Sequence, residues 1–400
     1  FVNYFILDFL FFKKIKVLDF EYFFYLMSLM FINIKFSRIG GYGTDLSAQI
    51  ILLSILPLIY STLRMKISNK DFKSNLSLII FLITYSATVK SFFILNIVFL
   101  ISFLFFFNYK KIFHYFIFSK AFLISSLTIM LLILINISYT GCAVYPVKQT
   151  CLSNQLSWSL EKKLVGKMNN WYELWAKSGV GVYKGDPEKF KKREVYIQKF
   201  NWVGNWYDKY FLYKGKETVQ GLLILIFLNL ILFRGIRKEK PDKKKINFIL
   251  MLFGITSILF FEWFYNHPAF RYGGYYLLCI LFFIPISYYL GTKKHTYINK
   301  KNTIICLIIF SFFVFYVRNI KRINEEIIIV SDNNFPLFYA PIQTYEEINL
   351  DYNVNVYKPT SKQGCWVTKT PCVSNTSHIF VKEKLGFKIF VAKNKVQKNN

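Results

Sequence analysis

Long apolar runs alternate with short polar connections along most of this chain. Runs of about 15–25 apolar residues are long enough to cross the roughly 30 Å hydrocarbon core of a bilayer as helices. The first run is partial, and the predicted spans are 1–12, 20–36, 47–63, 75–89, 91–107, 119–138, 221–235, 246–263, 273–290 and 302–317. We therefore expect an all-α polytopic membrane protein with roughly nine to ten transmembrane helices.

The polar segments divide the chain into four predicted parts: an N-terminal transmembrane bundle (1–138), a Trp- and Tyr-rich helical loop (139–220), a second transmembrane bundle (221–317) and a tail (318–400). The tail carries strand-like patches, "IIIV" and "HIFVKEKLGFKIFVA". The second patch predicts a hairpin that turns near Leu385-Gly386, so we expect a small α/β tail. The chain opens without Met in a short apolar run, from which we expect that an earlier part of the first helix is missing.

Composition supports the membrane assignment, and the positions of Lys and Arg predict the orientation of the chain in the membrane. The chain is 54% hydrophobic and 20% aromatic, with a formal net charge of +29. Lys and Arg are concentrated, at least three each, in the connections 13–16, 64–73, 108–120, 234–245 and 293–301. Basic connections stay in the cytoplasm, so the helical loop and the tail are expected outside. No nucleic-acid-binding signature is present in the sequence, and we expect no nucleic-acid partner.

Four cysteines agree with this orientation. Cys142 and Cys151 flank "AVYPVKQT", and Cys365 and Cys372 flank "WVTKTP". Both pairs fall in segments expected outside, where disulfides persist, so we predict one bridge within each pair. The alternative is two pairs of free thiols. Histidines at metal-ligand spacing are absent from both segments, and we predict no metal site there.

Three predicted outer connections each carry a lone cation: Arg38 in "FSRIGGYGTDLS", Lys90 in "SATVKSF" and Arg271 in "HPAFRYGG". Since the topology rule disfavours positive charge on this side, a ligand is a reason to place it there. An arginine fork matches phosphate, and Gly273 and Gly274 would let a ligand approach the backbone closely. These five residues form a predicted phosphate-binding set. The alternative is that the cations reach lipid headgroups.

Acid–base candidates lie near the same cations. Either Thr44 or Asp45 caps the following helix, or Asp45 acts as the base that activates an acceptor hydroxyl. Glu262, nine residues before Arg271, either pairs with that arginine or serves as the base. His267 precedes a proline and is a candidate acid, base or phosphate donor, although a lone loop histidine is more often polar surface. We predict Asp45, Glu262 and His267 as catalytic candidates.

The outer loop also contains two tryptophan pairs at helical spacing: Trp171 with Trp175, and Trp202 with Trp206. Spacing of i, i+4 places both rings of a pair on one helical face. The pairs therefore predict either an amphipathic helix at headgroup depth or a wall on which sugars stack.

Four motifs together resemble a group of poorly characterised bacterial multi-spanning membrane proteins: "YGTDLSAQIIL", "GCAVYPVKQTC", "HPAFRYGGYYLL" and "CWVTKTPC". That group is similar in layout to envelope polysaccharide polymerases and to glycosyltransferases that use polyprenyl-linked sugars. The resemblance implies a multi-pass protein of a bacterial inner membrane that takes part in cell-envelope glycan assembly. A likeness of layout is an analogy of architecture, from which no residue roles are carried over.

The resulting hypothesis is transfer or polymerisation of sugars from a polyprenyl (pyro)phosphate donor at the outer face. Membrane lipid and the polyprenyl-linked sugar are the expected partners, no cofactor is predicted, and a requirement for a divalent metal stays open. Two other classes remain: a transporter or flippase of lipid-linked glycans, and a non-catalytic envelope protein. Transport predicts charged or broken segments at the midplane and repeated halves, whereas the notable charges here are near the rim.

The orientation can be tested with reporter fusions. Fusions near positions 180 and 350 to a reporter that is active only outside the cytoplasm are expected to be active, and a fusion near 240 inactive, because basic connections are retained inside. Activity at 240 without activity at 180 would reverse the orientation and place the predicted site in the cytoplasm.

Overall fold

The protein is mostly helical, with a small β region near its C-terminus. The structure, a computed structural model, describes residues 2–11, 18–36, 45–67, 69–156, 158–179, 193–235, 243–293, 297–329, 344–360, 365, 369–373, 376, 379–384 and 386–392. The chain divides into two compact units, which are described separately: one comprises 1–134 with 167–322, and the other 135–166 with 323–400.

The helices in chain order are α1 (Val2–Phe11), α2 (Phe20–Lys35), α3 (Asp45–Leu63), α4 (Lys70–Val89), α5 (Ile101–Phe106), α6 (Tyr109–Ile117), α7 (Lys120–Thr140), α8 (Lys162–Lys177), α9 (Arg193–Ile197), α10 (Val203–Trp206), α11 (Lys216–Leu232), α12 (Lys243–Asn266), α13 (Gly274–Gly291) and α14 (Tyr297–Ile329). Short 3₁₀ segments precede α5 (Ser91–Leu100) and α13 (Phe270–Tyr272), and a π-helical segment (Tyr207–Gly215) joins α10 to α11.

Helix α2 forms the centre of the first unit. Its residues from Phe20 to Asn33 are buried on every side, and it packs against α1, α3, α11 and α13. Asp19 accepts a hydrogen bond from the Tyr22 amide and caps the helix at its start. Edge-to-face ring contacts join α2 to its neighbours, as between Phe24 and Phe283 of α13, whose centroids are 5.8 Å apart.

Among the described residues, seven segments are long and apolar enough to cross a membrane: the helices α3, α4, α7, α12, α13 and α14, and the continuous stretch Val203–Leu232. Helix α7 is the clearest, since of its 21 residues only Ser125 is buried. Exposed leucine and isoleucine around a whole helix are unfavourable in water and favourable in lipid. The protein is therefore a multi-pass membrane protein.

The prediction of nine to ten spans counted three segments that are shorter in the structure. The 16 residues of α2 rise about 24 Å, and α1 is shorter still. The predicted span 91–107 begins as a 3₁₀ segment, Ser91–Leu100, before it continues as α5. Val2–Phe11 has 10 residues and Phe20–Lys35 has 16, and the apolar helical stretch Ser91–Phe106 also falls in the 10–17-residue class, so none reaches the about 20 residues of a typical span, which accounts for the difference.

The tail differs from its prediction at one point and agrees at another. The "IIIV" patch was predicted as a strand, but Ile327–Ile329 continue α14, which runs past the expected boundary at 317. The hairpin is confirmed: β3 (Ile379–Lys384) pairs antiparallel with β4 (Phe387–Ala392), and Gly386 between them has a positive φ. Leu385 lies outside the described residues. A second antiparallel pair joins β1 (Tyr345–Leu350) to β2 (Val354–Pro359).

Both predicted disulfides are present, Cys142–Cys151 and Cys365–Cys372. The first is buried with Val165, and the backbone around it is held by the Leu152 amide, which donates to the Gly141 carbonyl at 2.8 Å. The second bridge lies next to β2, since the Tyr357 amide donates to Pro371 and the Val373 amide donates to Tyr357.

Replacing Cys142 with Ser is expected to destabilise the second unit by about 2.5 kcal/mol, because the open chain regains the entropy of a short closed loop. The measurement is thermal unfolding of the purified protein, followed by hydrogen exchange of residues 135–166. Reduction of the wild type opens both bridges and should destabilise this unit at least as much. Identical exchange in Cys142→Ser and wild type would remove any stabilising role of this bridge.

Candidate functional site

Three of the predicted site residues meet at one end of the first unit. Asp45 is the first residue of α3, Lys90 follows the last residue of α4, and Arg271 lies in the 3₁₀ turn before α13. Lys90 Nζ is 2.8 Å from Asp45 Oδ1, and Arg271 Nη2 is 2.7 Å from Asp45 Oδ2. Since α3 and α4 form a helical hairpin, the start of one and the end of the other lie side by side. We call this group the Asp45 trio.

The trio carries a net charge of +1, because one carboxylate is shared by two cations. Asp45 is only 6% exposed, whereas the side chains of Lys90 and Arg271 are 33% and 47% exposed. Arg271 uses its Nε and Nη2 on Asp45. The opposite edge of the guanidinium therefore keeps donors for a second anion. Of the two alternatives for Glu262, pairing with Arg271 is not the one observed, since the arginine pairs with Asp45.

Aromatic rings surround the two cations. Arg271 lies over the rings of Trp175 and Tyr272, at 5.7 and 5.5 Å from their centroids, and Lys90 lies 4.9 Å from the Tyr272 ring. The rings of Trp175 and Tyr272 are themselves in contact, with centroids 5.8 Å apart. Burial raises the pKa of Tyr272, although Arg271 opposes the shift, so its hydroxyl stays protonated at neutral pH.

A buried glutamine of α3 fixes the turn that carries Arg271. Gln49 Nε2 donates to the carbonyls of Phe270 and Arg271 at 3.3 and 3.0 Å, and its Oε1 accepts from the Tyr276 amide at 3.2 Å. A buried amide with all these groups satisfied is a rigid link. Sequence reasoning missed Gln49, although its position four residues after Asp45 places both on one helical face.

Three aromatic side chains hold the backbone of the same loop. Trp206 Nε1 donates to the Pro268 carbonyl at 2.7 Å, Trp263 Nε1 donates to Ala269 at 3.1 Å, and the Tyr210 hydroxyl accepts from the Phe270 amide at 2.9 Å. Tyr210 lies in the π-helical segment, a form that is frequent at functional sites.

The two tryptophan pairs differ in their burial and in their contacts. Trp202 and Trp206 are buried, at 0% and 6% exposure, so both the membrane-surface and the sugar-wall interpretation are wrong for them. Trp175 instead faces Arg271, and Trp171 is 46% exposed.

The two glycines beside Arg271 face packed rings. A Cβ on Gly274 would overlap the indole of Trp263, and a Cβ on Gly273 would lie 3.2 Å from the rings of Phe92 and Tyr276. Gly273 also has φ +125°, which side-chain-bearing residues rarely adopt. Because both residues lack a Cβ, aromatic side chains can pack closely against the backbone here. This packing explains the two glycines without a ligand.

A second charged cluster lies next to the trio and was not predicted. Lys177 is fully buried, and its Nζ is 2.6 Å from Glu173 Oε1 and 2.8 Å from the Ile197 carbonyl. His267 is close enough for both charges to act on it. Burial lowers the pKa of His267, a shift that Glu173 opposes and Lys177 reinforces. The imidazole is therefore neutral at pH 7, and its buried Nδ1 has no hydrogen-bond partner among the described residues. The i, i+4 spacing of Glu173 and Lys177 was the available sequence signal.

The remaining candidates lie apart from the trio or outside the described chain. Glu262, in the last part of α12, accepts from Asn266 Nδ2 at 3.0 Å through Oε1, while its buried Oε2 has no partner in the described part of the chain. Arg38 lies outside the described residues. Across those that are described, no three His, Cys, Asp or Glu side chains come together as a metal site would require.

Residues 1–278 match the profile of a domain of unknown function, DUF8201, over more than two thirds of the 400 residues. The chain belongs to the DUF8201 family. The matched region contains the Asp45 trio and the Glu173–Lys177–His267 cluster, so the candidate site lies within the family domain. Comparison with curated proteins and with solved structures found no match.

The packing of Gly274 gives a test with an internal control. Gly274→Ala is expected to destabilise the protein by about 1–3 kcal/mol, because the added methyl displaces Trp263 from the loop it holds. Gly254→Ala in α12, where a Cβ meets nothing within 4 Å, should be neutral or stabilising by up to about 1 kcal/mol. Melting temperatures of the purified variants measure both. Equal melting of the two variants would contradict the packing explanation.

Proposed function

We propose that this protein transfers or polymerises sugars from a polyprenyl (pyro)phosphate donor at the outer face of a bacterial inner membrane. The observation that carries the proposal is the Asp45 trio. It presents two partly exposed cations at the end of a membrane-embedded bundle, where the phosphate of a lipid-linked donor would lie. Charged groups in such positions commonly serve a substrate.

The charge of the trio suits a phosphate. Asp45 neutralises one of the two cations, and the remaining positive charge favours an anion beside Lys90 and Arg271. The free edge of Arg271 offers two parallel donors, a geometry that matches two phosphate oxygens. Asp45 acts in this proposal as a positioning residue, because both of its oxygens already accept from cations.

The rings beside the cations suit the sugar. Trp175 and Tyr272 form a continuous aromatic surface against Arg271, and the polar edges of a sugar leave its C–H face to pack on such rings. The Tyr272 hydroxyl, kept protonated by burial, is a neutral hydrogen-bond donor at this surface.

The reaction is a substitution at the anomeric carbon of the donor sugar. The acceptor hydroxyl forms the new C–O bond, the bond from that carbon to the phosphate oxygen breaks, and the electron pair leaves on the phosphate. Arg271 and Lys90 stabilise the charge that develops on this leaving group. The acceptor proton passes to a base.

His267 is the base that the geometry favours among the three predicted candidates. Its ring lies 6.4 Å from that of Tyr272, centroid to centroid, and its lowered pKa keeps it unprotonated and ready to accept a proton. Asp45 is held by two cations, and Glu262 lies within the span formed by α12. Glu173, whose charge acts on His267, would stabilise the imidazolium that forms.

The test is substitution of Arg271 by Lys and by Ala. Lysine keeps the charge but loses the fork, so both variants are expected to lose about tenfold to a hundredfold in donor affinity, which corresponds to one charge-assisted contact of about 1.5–3 kcal/mol. The assay is the amount and length of surface glycan in cells at matched membrane expression.

Arg64 provides the control. It also pairs with carboxylates, Asp19 at 3.3 Å and Glu21 at 3.4 Å, but at the other end of α3. Arg64→Lys should leave the glycan unchanged. Normal glycan in both Arg271 variants would remove the phosphate role and leave Arg271 as the partner that neutralises Asp45.

A further inference from the structure

A basic cavity lies at the opposite end of the first unit from the Asp45 trio. It has a volume of about 410 Å³ and lies between α4, α6 and α7. Its polar lining consists of Lys73, Ser77, His114, Tyr115, Ser119 and Lys120. By the charge distribution of the connections, this is the cytoplasmic end.

The cavity carries positive charge without a neutralising acid. Its lining contains two lysines and no carboxylate, and in the described part of the chain neither Lys73 nor Lys120 forms an ion pair. Lys73 Nζ instead lies 4.6 Å from the centroid of the Tyr115 ring. In the Asp45 trio, by contrast, both cations pair with a carboxylate. Both lysines are exposed and free to reach an anion.

Two helices begin beside this cavity. Lys73 lies in the first turn of α4, and Lys120 is the first residue of α7, whose start is capped by the Ser119 hydroxyl accepting from the Phe122 amide at 3.0 Å. The positive ends of both helix dipoles add to the charge of the lysines and favour an anion there.

The rest of the lining is apolar. Leu76 and Ile80 of α4 are buried at 3% and 4% exposure and form the wall that continues along the spanning helix. Helix α6 exposes Phe113 at 61%, a side chain that is favourable at a membrane interface. A ligand that fits these walls has an anionic head and a hydrocarbon body.

We propose that this cavity binds the phosphate headgroup of an anionic phospholipid from the cytoplasmic leaflet. Lys73 and Lys120 hold the phosphate, the hydroxyls of Ser77 and Tyr115 donate to its oxygens or to the headgroup, and the lipid chains continue along Leu76 and Ile80. Basic pockets between spanning helices on this side are suited to such headgroups. The site is independent of the sugar-transfer proposal.

The experiment measures lipid retention by the full chain in detergent. The protein is titrated with short-chain phosphatidylglycerol, with phosphatidylcholine of the same chain length, and with inorganic phosphate, and bound molecules are counted by native mass spectrometry. Wild type should retain phosphatidylglycerol in preference to phosphatidylcholine. Lys73→Gln with Lys120→Gln should lose about tenfold or more in that affinity, since each lysine near an anionic headgroup contributes measurably.

The matched control removes the same charge from the same region. Lys110 and Lys111 lie exposed on α6 and do not line the cavity, so Lys110→Gln with Lys111→Gln should keep the preference. Ser77→Phe fills the cavity without changing charge, and it should lose the lipid as the lysine variant does. If the double lysine variant fails to fold, Ser77→Phe still tests whether the lipid binds in this cavity.

Three outcomes would overturn the proposal. Equal losses in the two double variants would show general attraction of basic loops to anionic lipid. Full retention in Ser77→Phe would place the lipid elsewhere. Displacement of phosphatidylglycerol by an equimolar amount of inorganic phosphate would show a site for free phosphate.

Discussion

The carboxylate of Asp45 is the group around which one end of the first unit is arranged. A buried charge is costly unless it is paired, and here both of its oxygens meet cations. Each cation comes from a different connection, Lys90 after α4 and Arg271 before α13. The pairing therefore ties the start of α3 to two connections, and loss of either cation would leave a charge partly uncompensated inside the protein.

The loop that carries Arg271 is held in place by a glutamine and three aromatic side chains. The loop of Arg271 is bonded by Gln49 from α3 and by Trp206, Tyr210 and Trp263 from other segments, so its backbone is fixed from several sides. The rigid loop allows the arginine to hold Asp45 with one edge while the other edge stays accessible. Preorganised donors of this kind bind an anion without the cost of ordering a flexible loop.

The two ends of the bundle use positive charge differently. At the end that carries the Asp45 trio, one acid is shared by two cations. At the other end, Lys73 and Lys120 face a cavity whose lining contains no carboxylate. The distribution agrees with the proposed orientation, in which the basic connections are cytoplasmic and lie near anionic lipid.

The sequence by itself determined the membrane class, the β3–β4 hairpin and both cysteine pairs, because these follow from local periodicity, turn residues and close spacing. It also named Asp45, Lys90 and Arg271, since lone cations and acids between apolar runs are conspicuous. Only the tertiary structure decided that Arg271 pairs with Asp45, that Gly274 accommodates an indole, and that Glu173, Lys177 and Gln49 belong beside them. Those contacts join residues that are distant in sequence or hidden within helices, and packing determines which side chains meet.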